Sequence, residues 1–392
     1  MSVGFSFACR VKRIEELLSS ARQLARERGY QFFLYPEQNG FTLGLCPMGG
    51  ELHFRWRRRG GLFPCYELEG DCQSTPAGPG LHKAAADAFY ALDQIGEQKF
   101  RFSRLYFGDE TGYFDHWSFE KSVREHFHPW LAALLEMCCQ RVLDGTDPQM
   151  CLCWRTEQYV PKEVPGTLVT PVGRFSARSL REMAQTQGIE AVAERFFLWY
   201  HPEPRDALYC RNLALNLLWE ECRYLPSSRG EEDRRLNDAI LDCLEEAARL
   251  DPALPLPRRS YEEVCALAGR EPRLCEGPAM EEEFFPGYRK EPVTYTAGPL
   301  RLTLSGAYRR VGDRWEDGPG PVWQVRRGER LTGPGGETGE LAVDGGTVRW
   351  SWREEDCVLQ AEAGGCLITA ACQTPAERLD AMESLGKLAI KG

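Results

Sequence analysis

The residues with chemical reach lie mostly between positions 76 and 128. His82 and Lys83 open a helical pattern, Asp109 and Glu110 close a strand-like run, and His116, Glu125, His126 and His128 follow. Histidines beside carboxylates titrate near neutrality and are the usual agents of general acid–base catalysis. The stretch from Glu125 to Cys139 adds Cys138 and Cys139, which together with histidine suggests zinc. The small residues from Ser74 to Gly80 precede a helix, and free N–H groups at such a start can hold an anion. His82 and Lys83 would add positive charge there.

Spacing argues against the metal. Residues two apart on a helix point roughly 200° apart, so His126 and His128 cannot chelate one ion from a regular helix. The i, i+4 pair of an HExxH helix is absent, and so are the glycine-rich nucleotide motifs and the GxSxG nucleophile elbow. Pro129 disfavours helical backbone at His128. One helix is therefore expected to end or kink there, with another beginning at Pro129. A site built from His116, Glu125 and His126 would need that kink to gather it. The expectation is no metal and no cofactor. If a ligand or catalytic site exists, it is a pocket between the first two regions using His82, Lys83, Asp109, Glu110, His116 and His126.

Composition sets the frame for these residues. A chain of 392 residues with 43% hydrophobic and 27% charged residues is expected to form two or three globular domains. No apolar run reaches the ~18 residues that span a bilayer, and the start does not read as a signal peptide. The expected location is the cytoplasm of a bacterium. The 16 cysteines contain no CxxC pair and fall among apolar neighbours, as buried free thiols do. A net charge of −10 argues against nucleic acid as a partner. The basic run RWRRRGG at 55–61 reads as the solvated end of a strand, with a stacking platform for single strands as the alternative. Arginine outnumbers lysine throughout, as codon bias in a G+C-rich genome produces, so arginine clusters are discounted as functional signs.

The elements follow from periodicity. Residues 1–148 read as an α+β domain. Ile14, Leu17, Leu18, Ala21 and Leu24 mark a helix that Gly29 stops. An antiparallel meander follows, with a type I′ hairpin at Asn39-Gly40 and with Leu52, Phe54 and Trp56 opposite His53, Arg55 and Arg57. Residues 149–275 hold two strand-like pieces around a proline-rich loop, then five helix candidates forming a bundle. Residues 276–292 read as a linker, within which Met280 to Tyr288 could clasp a neighbour. Residues 293–392 are β-rich, with glycine hairpins at Asp344-Gly345-Gly346 and Gly364-Gly365. Thr374, Pro375 and Glu377 start a final helix, which Leu379, Met382, Leu385 and Ala389 are expected to pack on the sheet. The fold class is α+β multidomain: an N-terminal antiparallel meander with helices, a central helical bundle and a small C-terminal antiparallel α/β sandwich.

Two segments resemble known groups. Residues 205–257, ending in EEAARLDPALPLP, resemble a single tetratricopeptide-type helical hairpin, without the further copies a repeat array needs. Residues from GPLRLTLSGAYRR to LITAACQTPAERLDAMESLGKL resemble the PsbP-like/DcrB-like α/β sandwich group. That resemblance implies an accessory, assembly or chaperone-like role, including toxin neutralisation, and carries no catalytic residues. The first region resembles no known group. The expected function is a non-catalytic cytoplasmic interaction protein that holds a protein partner. The alternative is an enzyme or an anion-binding protein with its site at 76–128.

Overall fold

The structure, a computed structural model, describes residues 3–47, 50–60, 65–75, 77–99, 101–152, 159–274, 276–281, 287–331 and 336–391. The N-terminal unit runs β1 (Gly4–Val11), α1 (Ile14–Arg28), β2 (Gln31–Tyr35), β3 (Gly40–Cys46), β4 (Gly50–Arg59), β5 (Cys65–Gln73), α2 (Pro79–Lys99) and β6 (Ser103–Asp109). Its six strands form one antiparallel sheet in the order β2-β3-β4-β5-β1-β6. Alternation puts Phe5, Phe7, Phe41, Leu43, Leu52, Phe54 and Leu68 on the face that shares a core with α1 and α2. The opposite face is ionic, with Arg57 and Arg59 both reaching across to Glu67. The five apolar residues expected on α1 are all buried, and Gly29 ends it at φ 69°.

The β2–β3 connection departs from the expected two-residue hairpin. Pro36 starts a 3-10 turn, Pro36–Gln38, and Asn39 alone takes the left-handed conformation, at φ 47°. A type I′ turn needs positive φ at both central residues, and Gly40 instead begins β3.

The middle of the chain runs α3 (Tyr113–His116), α4 (Phe119–Ser122), a π-helical turn Val123–Phe127, and α5 (His128–Leu143). The break expected near Pro129 is this π turn. Pro129 has no N–H to donate, and the chain widens by one residue, so that His128 N–H reaches the carbonyl of Val123 while His128 itself stays helical. Then come β7 (Gln149–Cys151), β8 (Tyr159–Pro161), β9 (Thr167–Thr170), β10 (Gly173–Ser176), α6 (Ala177–Thr186), α7 (Ile189–Phe196), α8 (Ala207–Glu220), α9 (Glu231–Leu250) and α10 (Arg258–Ala268). Leu131, Leu135 and Cys138 of α5 share one core with Leu180 of α6 and Val192 and Phe196 of α7, so residues on both sides of position 148 pack together.

The C-terminal part contains β11 (Pro292–Ala297), β12 (Leu300–Ser305), β13 (Arg309–Val311), β14 (Arg314–Glu316), β15 (Val322–Arg327), β16 (Thr338–Val343), β17 (Gly346–Arg353), β18 (Val358–Ala363), β19 (Cys366–Ala371), α11 (Pro375–Gly386) and β20 (Ala389–Ile390). Seven strands form one sheet, β13-β14-β15-β19-β18-β17-β16, and four form another, β20-β12-β11-β8. The strand β8 comes from the middle region and pairs with β11 at Val293 opposite Pro161. Both glycine hairpins form, and Gly364 and Gly365 both have positive φ. Thr374 caps α11 as expected. The helix ends sooner than its pattern suggested: Ala389 pairs in β20, and Leu379 points to solvent while Leu385 is buried. The molecule is thus a multidomain α+β protein with an N-terminal meander, central helices and a C-terminal sandwich. Residues 282–286, the heart of the expected clasp, lie outside the described residues, whereas Tyr288 is buried with its ring 5.6 Å from Trp219. Among the described residues no helix is long and apolar enough to cross a membrane.

Candidate functional site

The structure joins two of the six residues singled out from sequence. His82, in the first turn of α2, places Nε2 3.1 Å from Oδ1 of Asp109 at the end of β6. Its Nδ1 lies 2.9 Å from Oγ of Ser74. A carboxylate only accepts, so Nε2 carries the proton, and in the neutral ring Nδ1 accepts from the Ser74 hydroxyl. The connectivity is carboxylate–imidazole–hydroxyl, that of a nucleophile with its base. Access is what the cluster lacks. His82 is 1% exposed, Ser74 is fully buried, and Phe5 and Phe127 close over the ring at 5.6 and 5.9 Å. Asp109 also accepts from Thr111 N at 2.8 Å, Thr111 Oγ1 at 2.9 Å and Phe114 N at 2.9 Å. Burial by itself would raise the Asp109 carboxyl, but these bonds, with His82 first among them, outweigh it and hold the group well below the usual carboxylate range. The cluster ties the start of α2 to the end of β6 with its polar atoms facing inward.

The other four residues go elsewhere. Lys83 pairs with Asp87 one turn on, at 2.7 Å. Glu110 accepts from Gly4 N at 2.8 Å. His116 accepts from Ser118 N at 3.0 Å and so donates through Nε2 to Thr111 O, stapling its own loop. His126 lies half-buried in the π turn, and His128 contacts Tyr200 OH at 2.9 Å. Cys138 and Cys139 sit in a core. Among the described residues no group of three His, Cys, Asp or Glu side chains is placed to hold a metal ion. The start of α2 is closed to an anion as well. Gly80 N–H donates to Trp199 O, and a Cβ at Gly80 would stand 2.2 Å from the Trp199 ring.

Sequence reasoning passed over three features. Ser74 and Thr111 carry no local signal, being ordinary loop residues until folding brings them to His82. Ser118 and Lys121 have S-x-x-K spacing, but Ser118 Oγ caps α4 by accepting Lys121 N–H. The third is a cavity of about 270 Å3 at the seam of the α8–α9 pair and the sandwich, where Arg223, Arg289, Arg309 and Arg310 meet Tyr295, Tyr308 and the carboxylates Glu221, Glu232 and Asp233. Arg223 forks onto buried Asp233 at 3.0 and 2.6 Å. Arg289 donates to the carbonyls of Glu220, Gly306 and Tyr308 at 3.0 to 3.2 Å. Arg309 reaches Glu316, Asp317 and, at 3.7 Å, the cavity's own Glu232, and Arg310 lies over the Trp315 ring at 5.2 Å. Burial lowers the Arg310 pKa. Discounting arginine as codon bias hid this cluster, because its members are far apart in sequence. Compared with family models, curated proteins and solved structures, the chain matches none.

Proposed function

We propose that this chain is a non-catalytic cytoplasmic accessory protein that holds a protein partner, and that the arginine-lined cleft takes a carboxylate-bearing segment of that partner. The observation carrying this reading is the convergence of Arg223, Arg289, Arg309 and Arg310, with two tyrosines, on one cavity whose lining sets these four guanidiniums against three carboxylates, Glu221, Glu232 and Asp233. Arginine and tyrosine dominate binding hot spots. A guanidinium already fixed by carbonyls or a ring loses little entropy when it grips a carboxylate. Sealing of the His82 cluster favours a binding role over acid–base work at 76–128. A chaperone-like or toxin-neutralising form of that role rests on the resemblance of the C-terminal sandwich.

The test is affinity capture from extract of the native organism, comparing the full chain with Arg309→Glu/Arg310→Glu. A stoichiometric protein captured by the first and lost from the second supports the proposal. Capture that survives the charge reversal places the partner elsewhere and removes the cleft from the reading.

A further inference from the structure

The strand β6 is an edge of the N-terminal sheet, paired with β1 on one side and with no strand on the other among the described residues. A bulge opposite Ala8 and Cys9 leaves Leu105 without an opposite residue. Leu105 is 47% exposed and Tyr106 56%. On the helix side of the sheet Tyr90 and Trp117 are 41% and 43% exposed, with rings 4.9 Å apart. Trp117 is held there in left-handed backbone at φ 54°, a conformation that costs a bulky residue strain. Arg104 lies over Phe114, 5.0 Å from the ring, linking strand to ledge. Of the eleven large apolar side chains exposed among the described residues, Leu105 and Tyr106 lie on this edge strand, and Tyr90 and Trp117 approach the strand from its helix side through Phe114 and Phe107. Single exposed apolar residues are ordinary, but a cluster marks an interaction surface. Soluble proteins guard free edges with lysine, proline, other charged side chains or bulges; Ser103–Asp109 has no lysine or proline, and its guards, Arg104 and the bulge at Leu105, lie in its first half and leave Tyr106–Gly108 open.

Charge selects the occupant. The edge is basic where it begins, at Arg101 and Arg104, and acidic where it ends, at exposed Glu110. A two-fold axis makes a strand meet its own copy antiparallel, so each basic start lies beside the other's acidic end, and the attraction occurs twice. Tyr106 is the midpoint of Ser103–Asp109 and falls near that axis. We infer that β6 pairs antiparallel with β6 of a second copy of this chain, joining the two sheets, with Tyr90 and Trp117 flanking the seam. This surface is separate from the arginine-lined cleft, and neither proposal depends on the other.

The experiment is the solution mass of the full chain by sedimentation over a range of protein concentrations, beside Tyr106→Lys and Leu105→Lys. The expected result is a two-copy mass for the native chain and a dissociation constant weakened at least about tenfold in each variant. Amide exchange supplies a second readout that needs no variant: the amides of Ser103–Asp109 should exchange more slowly as concentration rises. A single-chain mass at about 100 μM, well above a micromolar dissociation constant, overturns the inference. So does a dimer that keeps its affinity in both lysine variants, or one that leaves exchange at β6 unchanged.

Discussion

Removing the Asp109 carboxylate should unfasten the N-terminal unit. In Asp109→Ala four donors lose their acceptor: Thr111 N, Thr111 Oγ1, Phe114 N and His82 Nε2. Thr111 Oγ1 and His82 Nε2 lie 2.9 Å apart, so a shift of the ring proton to Nδ1, which then donates to Ser74 Oγ, lets the Thr111 hydroxyl donate to Nε2. That leaves two buried backbone N–H groups stranded, at about 1–3 kcal/mol each, so the expected loss is about 2–6 kcal/mol. Asp109→Asn keeps the shape and one oxygen, so its loss should be smaller. The pH dependence follows from the depressed carboxyl. A group whose folded pKa lies below its unfolded value of about 3.9 stabilises the fold above that pH and loses the contribution as pH falls further. The native chain should therefore lose stability more steeply below about pH 4 than Asp109→Asn does. The assay is urea unfolding at several pH values, with amide exchange at Thr111 and Phe114 reporting the local opening. A stability within about 0.5 kcal/mol of the native chain for Asp109→Ala, or identical acid limbs for the native chain and Asp109→Asn, would refute the reasoning.

The buried Arg223–Asp233 pair should be costly to break and cheap to replace. Asp233→Ala is expected to destabilise by about 3–5 kcal/mol, and the Arg223→Met/Asp233→Leu double variant to recover most of that in thermal unfolding. Gly80→Ala would drive a methyl into the Trp199 ring and the carbonyl of His201. It should lower the melting temperature clearly, whereas Gly145→Ala, with open space around it but φ of 80°, should cost only about 1 kcal/mol. Burial pushes the thiols of Cys139, Cys151, Cys222 and Cys243 up to about 11 and those of Cys9 and Cys72 up to about 12. Thiol labelling of the folded chain at neutral pH should therefore reach exposed Cys357 well before these, and rapid modification of Cys139 or Cys222 would contradict their placement.

Much of the local structure was legible because period and punctuation are local physics. The apolar spacing of α1, the left-handed glycine after it, the Gly364-Gly365 turn and the Thr374 cap each depend on a few consecutive residues. So does the segregation of Leu52, Phe54 and Trp56 from the arginines of β4. His82 and Asp109 could be nominated by residue type, because a histidine and a carboxylate are the groups able to do such chemistry. Their burial could not be read in the same way, since it depends on Phe127 arriving from a π turn and on Trp199 closing the start of α2.

The sequence alone determined where many of the helices and strands form, that the chain is an α+β multidomain protein, and that Cys138 and Cys139 lie among apolar neighbours. These properties follow from side chains within one or two turns of each other. Only the tertiary structure decided that β8 leaves the middle region to join β11, that α5 shares its core with α6 and α7, and that Ser74 and Thr111 complete a sealed cluster around His82. It also decided that arginines from three distant segments line one cavity. The physical reason is the same in each case. Contacts between distant segments are chosen by the packing of whole faces, and no single stretch of sequence encodes which face it will meet.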